Sequence, residues 1–144
     1  MPEPATASPA TALPAEVLEF LRVPHRYVTL ATIDPDGRPR QVLAWYRLIG
    51  DTIVVNSKVG RYWPTNLIRD PRISLVVSDG HDWVSVDGTV EVVEDQASAQ
   101  ADIAAMARAY ETPDEAAASI AAFERQQRIS FRVLPERSHV EIGE

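Results

Sequence analysis

Asn56-Ser57-Lys58-Val59-Gly60-Arg61-Tyr62-Trp63-Pro64-Thr65-Asn66-Leu67-Ile68-Arg69-Asp70-Pro71 follows directly on Thr52-Ile53-Val54-Val55 and contains the only lysine of the chain. The β-branched run reads as a strand. Gly60 marks a turn, and a short helix over residues 61–69 must stop before Pro71, which drives its predecessor out of the helical region. A strand that runs out into Ser57-Lys58 and then Gly60-Arg61 gathers a hydroxyl, an ammonium, backbone N–H groups and a guanidinium. Such groups hold phosphates and carboxylates, the lysine as a point charge and the arginine as a planar fork. The same charges also suit a solvated turn that keeps a strand end soluble.

Position along the chain favours the anion. Residues 38–72 hold Arg38, Arg40, Arg47, Lys58, Arg61, Arg69 and Arg72, half of the 14 cations, against Asp51 and Asp70 alone. The whole chain carries a formal charge of -7, so this stretch is a basic island on an acidic molecule. A local field of that kind attracts a small anion. The rest of the surface repels a polyanion, and no nucleic-acid-reading motif is present, so nucleic acid is a poor partner. A small molecule with a phosphate at one end fits.

At 144 residues the chain makes one domain with a real core. It has no cysteine, which excludes disulfides, iron–sulfur clusters and thiolate zinc sites. His25, His81 and His139 lie far apart and show no metal-ligand spacing. No apolar run approaches the length of a membrane span. Residues 1–13, rich in Pro, Ala, Ser and Thr, read as a disordered tail without signal-peptide features, and residues 14–144 as the single domain. The chain is expected in the cytoplasm.

Working outward, Pro14 opens a helix with Val17, Leu18 and Leu21 on one face. Residues 27–33 alternate as a strand, Asp34-Pro35-Asp36-Gly37 turns, and residues 38–48 return as one strand into the next over 52–56. These three strands are expected to form an antiparallel meander. Strands follow at 72–77 and 83–93. Two Ala-rich helices, 95–110 and 113–126, are divided by Thr112-Pro113, a cap followed by proline at the first helical position. Residues 129–134 form a last strand, extended by 139–142. The pattern predicts a mainly β, α+β domain: a small antiparallel barrel with peripheral helices.

Asp36-Gly37-Arg38-Pro39, Ser57-Lys58-x-Gly60-Arg61, Asn66-Leu67-x-Arg69-Asp70-Pro71-Arg72 and Trp83-Val84-Ser85-Val86-Asp87-Gly88 occur in this order. Together they resemble the pyridoxamine 5'-phosphate oxidase-like flavin-binding split β-barrels, and within them the actinobacterial branch that binds the deazaflavin coenzyme F420. The resemblance implies a homodimer with the cofactor in a groove between subunits. It implies a phosphate on Ser57, Lys58 and Arg61, with Asn56 and Gly60 in the same segment and Asn66 fixing the loop. It places the ring system along Gln41, Val42, Leu43 and Ala44. Many deazaflavin-binding relatives carry Gly-Arg-x-Lys-x-x-Asn-Leu where this chain has Trp63 in the lysine position, so Trp63 is expected as a pocket wall or a packed core residue. Arg137 and His139 do not reproduce the substrate-binding Arg/His pair of the founding oxidases, which argues against vitamin B6 synthesis.

The function expected is hydride transfer between F420 and a small unsaturated substrate. FMN in place of the deazaflavin, or a barrel that binds a flavin without catalysis, are the alternatives. The chain shows no triad or carboxylate pair, which suits chemistry that belongs to a cofactor. Asp34 and Asp36 read as turn residues, Asp87 as a strand-end residue, and Tyr46 as a core tyrosine before a proton donor. Trp45 and Trp83 are the candidates for an apolar dimer face.

Overall fold

The computed structural model describes residues 11–143. Pro14 precedes helix α1 (Ala15–Arg22), which buries Val17, Leu18, Phe20 and Leu21. Strand β1 (Val28–Ile33) alternates between buried and half-buried positions, the mark of a strand with one face on the core. The turn after it closes with Gly37 N–H donating to the Asp34 carbonyl at 2.8 Å, and Gly37 takes φ 89°, open to glycine without strain. Strand β2 (Pro39–Ala44) then runs back along β1 with Ile33 opposite Pro39 and Val28 opposite Ala44.

Residues 38–48 are not one strand. β2 ends at Ala44, and β3 (Arg47–Ile49) begins after Trp45 and Tyr46 and pairs with β4 (Thr52–Lys58) instead. The remaining elements are α2 (Tyr62–Arg69), β5 (Arg72–Asp79), β6 (Asp82–Val93), α3 (Gln96–Tyr110), α4 (Pro113–Phe123) and β7 (Arg128–Glu141). The seven strands form one antiparallel sheet in the order β2-β1-β5-β6-β7-β4-β3. The expected hairpins exist, but the meander breaks in the middle.

That break closes the barrel. β2 and β3 are the two outer strands of the sheet, yet only Trp45 and Tyr46 separate them. Three residue steps reach about 10 Å at most, roughly two strand spacings. The sheet must therefore roll until its edges meet at this point, with a split where they diverge. Leaving the ladder strips backbone groups of their partners, and Tyr110 replaces them. Its hydroxyl accepts the Tyr46 N–H at 3.2 Å and donates to the Arg26 carbonyl at 2.6 Å. The Tyr110 ring stacks on Trp45 at 5.2 Å between centroids. Tyr46 itself points inward, donates to the Leu21 carbonyl at 2.7 Å, and has its phenol pKa raised by burial. It is a core tyrosine.

Phe131, Leu30, Ile53, Leu67 and Leu75 fill the barrel, and a second cluster of Val54, Ile103 and Met106 sits beneath α3. Thr112 caps α4 as expected and forms a reciprocal capping box with Glu115, while Asp95 stands outside α3 as its cap and accepts the Ser98 N–H. β7 runs unbroken through Pro135 because a bulge in its pairing with β6 absorbs the irregularity next to Gly88. A side chain at Gly88 would run into the Leu134 carbonyl. The reading of residues 11–13 as tail needs correction, since Leu13 is buried in the core and Thr11 N–H donates to the Pro135 carbonyl at 2.7 Å. Residues 1–10 lie outside the described residues.

Tyr110→Phe keeps the ring on Trp45 but strands the Tyr46 N–H beside the barrel closure. Urea denaturation should show a loss of about 1–3 kcal/mol, the penalty for an unsatisfied buried donor.

Candidate cofactor cleft

A cleft of about 270 Å³ opens where the barrel splits. β2 supplies Val42, Leu43 and Ala44 to its wall, and Trp45 continues it. The end of β4 and the start of α2 supply Asn56, Ser57, Arg61 and Trp63. These are seven of the eleven residues expected to bind a cofactor, drawn together from two distant parts of the sheet. Tyr27, Ile103, Phe123 and Arg128 complete the lining and were not singled out in the sequence. Ile103 and Phe123 come from α3 and α4, so the helical pair forms one side of the cleft.

The two ends differ in chemistry. Tyr27, Leu43, Trp45 and Ile103 offer apolar and aromatic surface, with Leu43 65% and Tyr27 49% exposed on the rim. β2 is an edge strand, so every second residue turns its N–H and C=O away from β1 toward the split. Ser57, Arg61 and Arg128 form the other end. Ser57 is 2% exposed, and its hydroxyl has no hydrogen-bond partner among the described residues. A buried hydroxyl of that kind takes a water, an ion or a ligand as its partner.

Asn56 and Ser57, on opposite faces of β4, both reach the cleft at the strand end, whereas Lys58 is exposed and does not line it. Gly60 shapes the turn with φ 101° and is exposed as well. Opposite Lys58 in the β4–β7 ladder stands Arg128, 5% exposed. Its Nε donates to Asn56 Oδ1 at 3.1 Å and its Nη1 to Gln126 Oε1 at 2.7 Å, both neutral acceptors. Burial, with the Arg61 guanidinium nearby, lowers its pKa to about 10, so it remains a cation at neutral pH. The sequence signal that could have revealed it is an arginine opening the apolar run Ile129-Ser130-Phe131.

Asn56 lies in the wall, but its amide is already committed, donating at 2.9 Å to both the Ala99 carbonyl and Ser130 Oγ. Asn66 does not fix the loop before α2. Its amide donates to Thr32 Oγ1 at 3.1 Å and Asp34 Oδ1 at 2.9 Å, so it ties α2 to the β1–β2 turn. Gln41 is exposed on β2 outside the cleft. Trp63 serves both expected roles: it lines the cleft and packs 4% exposed against Phe131 in the core.

The basic island is largely neutralised. Asp70 binds Arg72 at 2.7 Å, Asp34 binds Arg40 at 2.9 Å and Asp102 binds Arg47 at 3.0 Å. Among the described residues Lys58, Arg61 and Arg128 make no ion pair. A second, shallower groove begins at Arg61 and runs past Gly60, Tyr62, Arg40 and Arg69.

Residues 13–135 match the pyridoxamine 5'-phosphate oxidase family. The chain belongs to that family. The conserved hypothetical protein Rv2991 from Mycobacterium tuberculosis superimposes with a TM-score of 0.73 at 26% identity, covering 95% of this chain and 96% of its own. An F420 reductase gives 0.69 at 23% identity, covering 88% and 98%. HutZ, the heme storage protein from Vibrio cholerae, gives 0.67 at 22% identity, covering 90% and 95%. These last two likenesses concern the fold. No curated protein matches the sequence. The seven-stranded antiparallel sheet with four helices is the split barrel of the pyridoxamine 5'-phosphate oxidase-like proteins, as the order of motifs between Asp36 and Gly88 implied. No helix among the described residues is long and apolar enough to cross a membrane.

In this family member the turn that carries β2 is held by a titrating group. The Asn66 amide, and after it Arg40, keeps the Asp34 carboxyl below its ordinary 3.8. A depressed carboxylate contributes stability that is present above its unfolded pKa and lost as pH falls through the folded one. Amide protection in the β1–β2 turn should therefore drop below about pH 4. Asp34→Asn should remove most of that step in hydrogen exchange.

Proposed function

We propose that the cleft binds the deazaflavin coenzyme F420 and that the protein passes a hydride between it and a small unsaturated substrate. The observation that carries this reading is the buried, unpartnered Ser57 hydroxyl at the basic end of a cleft whose other end is flat and apolar. One end suits a phosphate and the other a conjugated ring. When bound, such a cofactor supplies the hydride chemistry, and the protein contributes binding, orientation and exclusion of water. Ser57 donates to a phosphate oxygen and Arg61 provides a planar fork, while Lys58 adds charge at the rim. The unpaired edge of β2 offers backbone donors and acceptors to the polar edge of a ring lying along Val42, Leu43 and Ala44. Leu43 and Trp45 keep water from its face.

The groove that begins at Arg61 favours F420 over FMN, because it gives an anionic tail beyond the phosphate a path past Arg40 and Arg69. FMN is the second reading, and a specific observation favours it. Asp34 neutralises Arg40, and Trp63 puts an apolar ring where the resemblance implies a lysine, so the charge available beyond the phosphate is small.

We further propose a cytoplasmic homodimer. A cleft of about 270 Å³ in one chain falls below the roughly 300–1,000 Å³ that encloses a drug-sized ligand, and the rim residues Leu43 and Tyr27 are apolar and open. A second copy covering the rim would complete the site, with Trp45 and Trp83 near the shared face. Sedimentation at micromolar concentration should give twice the 15.9 kDa chain mass. A monomer that binds tightly would refute the shared groove.

Titration with F420 and FMN at low and physiological salt tests the cofactor. F420 should bind tighter, and added salt should weaken it through the exposed part of the site. Arg61→Ala should weaken either ligand by about ten- to a hundredfold, the worth of a charge-assisted contact, and Lys58→Ala by less. Tighter FMN binding at both salt levels selects the second reading, and failure to bind either ligand rejects both.

A further inference from the structure

We propose that Arg128 is a phosphate-anchoring residue of this cleft, held with one edge of its guanidinium free by a buried chain of side chains running from Asn56 to Arg47. The inference rests on the reading of the cleft as the site of a phosphate-bearing cofactor.

Arg128 is 5% exposed and makes no ion pair among the described residues. A guanidinium buried without a counter-charge is costly, and the cost persists in a fold only where something offsets it. Its protein partners, Asn56 and Gln126, are neutral, and the nearest charged group that perturbs it is another cation, Arg61. Nε and Nη1 are occupied, whereas Nη2 has no partner among the described residues. The Phe123 ring covers one face of the guanidinium at 4.6 Å, and an anion is received in its plane, at the N–H groups. Ser57, whose hydroxyl is also unpartnered, lines the same cleft. A phosphate dianion would meet the buried Ser57 hydroxyl and the open Nη2 edge of Arg128 and neutralise both arginines at once.

The orientation of Arg128 is forced from a distance. Asp102 is an acceptor only, and it takes Arg47 Nη1 on Oδ1 at 3.0 Å and Ser130 Oγ on Oδ2 at 2.7 Å. The single hydroxyl hydrogen of Ser130 is thereby used, so its oxygen can only accept, and it receives Asn56 Nδ2 at 2.9 Å. With Nδ2 committed to Ser130 and the Ala99 carbonyl, Asn56 cannot flip, and Oδ1 must face Arg128 Nε. One buried carboxylate thus sets the polarity of every link up to the guanidinium. Asn56 and Asp102 are positioning residues that reach a ligand only through Arg128. A lysine could not replace it fully, since a point charge cannot hold Asn56, Gln126 and an anion in one plane.

The test compares ligands that differ by the phosphate: FMN against riboflavin, and F420 against its phosphate-free deazariboflavin core. Each is titrated calorimetrically into wild type, Arg128→Gln, Arg128→Lys and Asp102→Asn. Arg128→Gln should weaken FMN and F420 by about ten- to a hundredfold while changing the phosphate-free ligands by less than about threefold. Arg128→Lys should recover part of the loss, and Asp102→Asn should give a smaller loss with the same selectivity. If Arg128→Gln does not fold, the lysine variant carries the same ratio. Equal loss for both members of a pair would make Arg128 a structural residue and overturn the inference, as would unchanged binding of the phosphate-bearing ligands. Wild type that binds none of the four overturns the cofactor reading itself, an outcome distinct from either.

Discussion

Two residues, Trp45 and Tyr46, must carry the chain from one edge of a seven-stranded sheet to the other. Nothing else in the fold is so constrained. The short reach compels the sheet to roll, and the roll creates both the closed core and the gap beside it. Because the ladder is interrupted at this point, the backbone needs an outside partner, and Tyr110 at the end of α3 provides it. The helical pair is thus fastened to the barrel closure itself, and the position of Ile103 and Phe123 along the cleft follows from that fastening. Core, cleft and helical wall all follow from one geometric demand.

Charge is organised by subtraction. An acidic chain carries a basic stretch, but local carboxylates cancel Arg40, Arg47 and Arg72. What remains is concentrated around the end of β4, where Arg61 and Arg128 meet without a carboxylate between them. Among the described residues the cations divide in role: Arg40 and Arg72 pair with aspartates at turns, Arg69 holds the Ile33 carbonyl and Asn66 without an ion pair, and Arg61 and Arg128 line the cleft unpaired. Family membership gives this arrangement a context, since the fold is shared by proteins described as an F420 reductase and as a heme storage protein. The fold alone does not choose between such ligands.

Much of the fold could be read from local pattern. Alternation in β1 and β6, the turn at Asp34-Pro35-Asp36-Gly37 and the cap at Thr112-Pro113 each depend on residues within a few positions of one another. The break after Ala44 could not be read this way. Residues 38–48 satisfy a strand pattern throughout, and only the competition between β1 and β4 for partners splits them. The cleft shows the same division. Period-two alternation says that Ser57 and Lys58 face opposite ways, but not which one meets the cleft, since that depends on β7 lying alongside. Arg128 is 72 residues from Asn56 in sequence, and its importance arises only when the two strands pair. Asn66 was legible as significant but not in its role, because its partners Thr32 and Asp34 lie across a hairpin.

An open split has a cost in self-association. To leave backbone groups available at the cleft, β2 must stay unpaired along one edge, and an unpaired edge is a template for another strand. This edge is short and starts with Pro39, which cannot donate, between the long polar side chains of Arg38 and Arg40. The protection is therefore placed at the outer end, away from Val42, Leu43 and Ala44. Exchanging Pro39 and Arg40 for valines would leave the core untouched and convert the edge into a sticky strand. The resulting failure would be aggregation of folded protein rather than unfolding, and a ligand seated along β2 would suppress it.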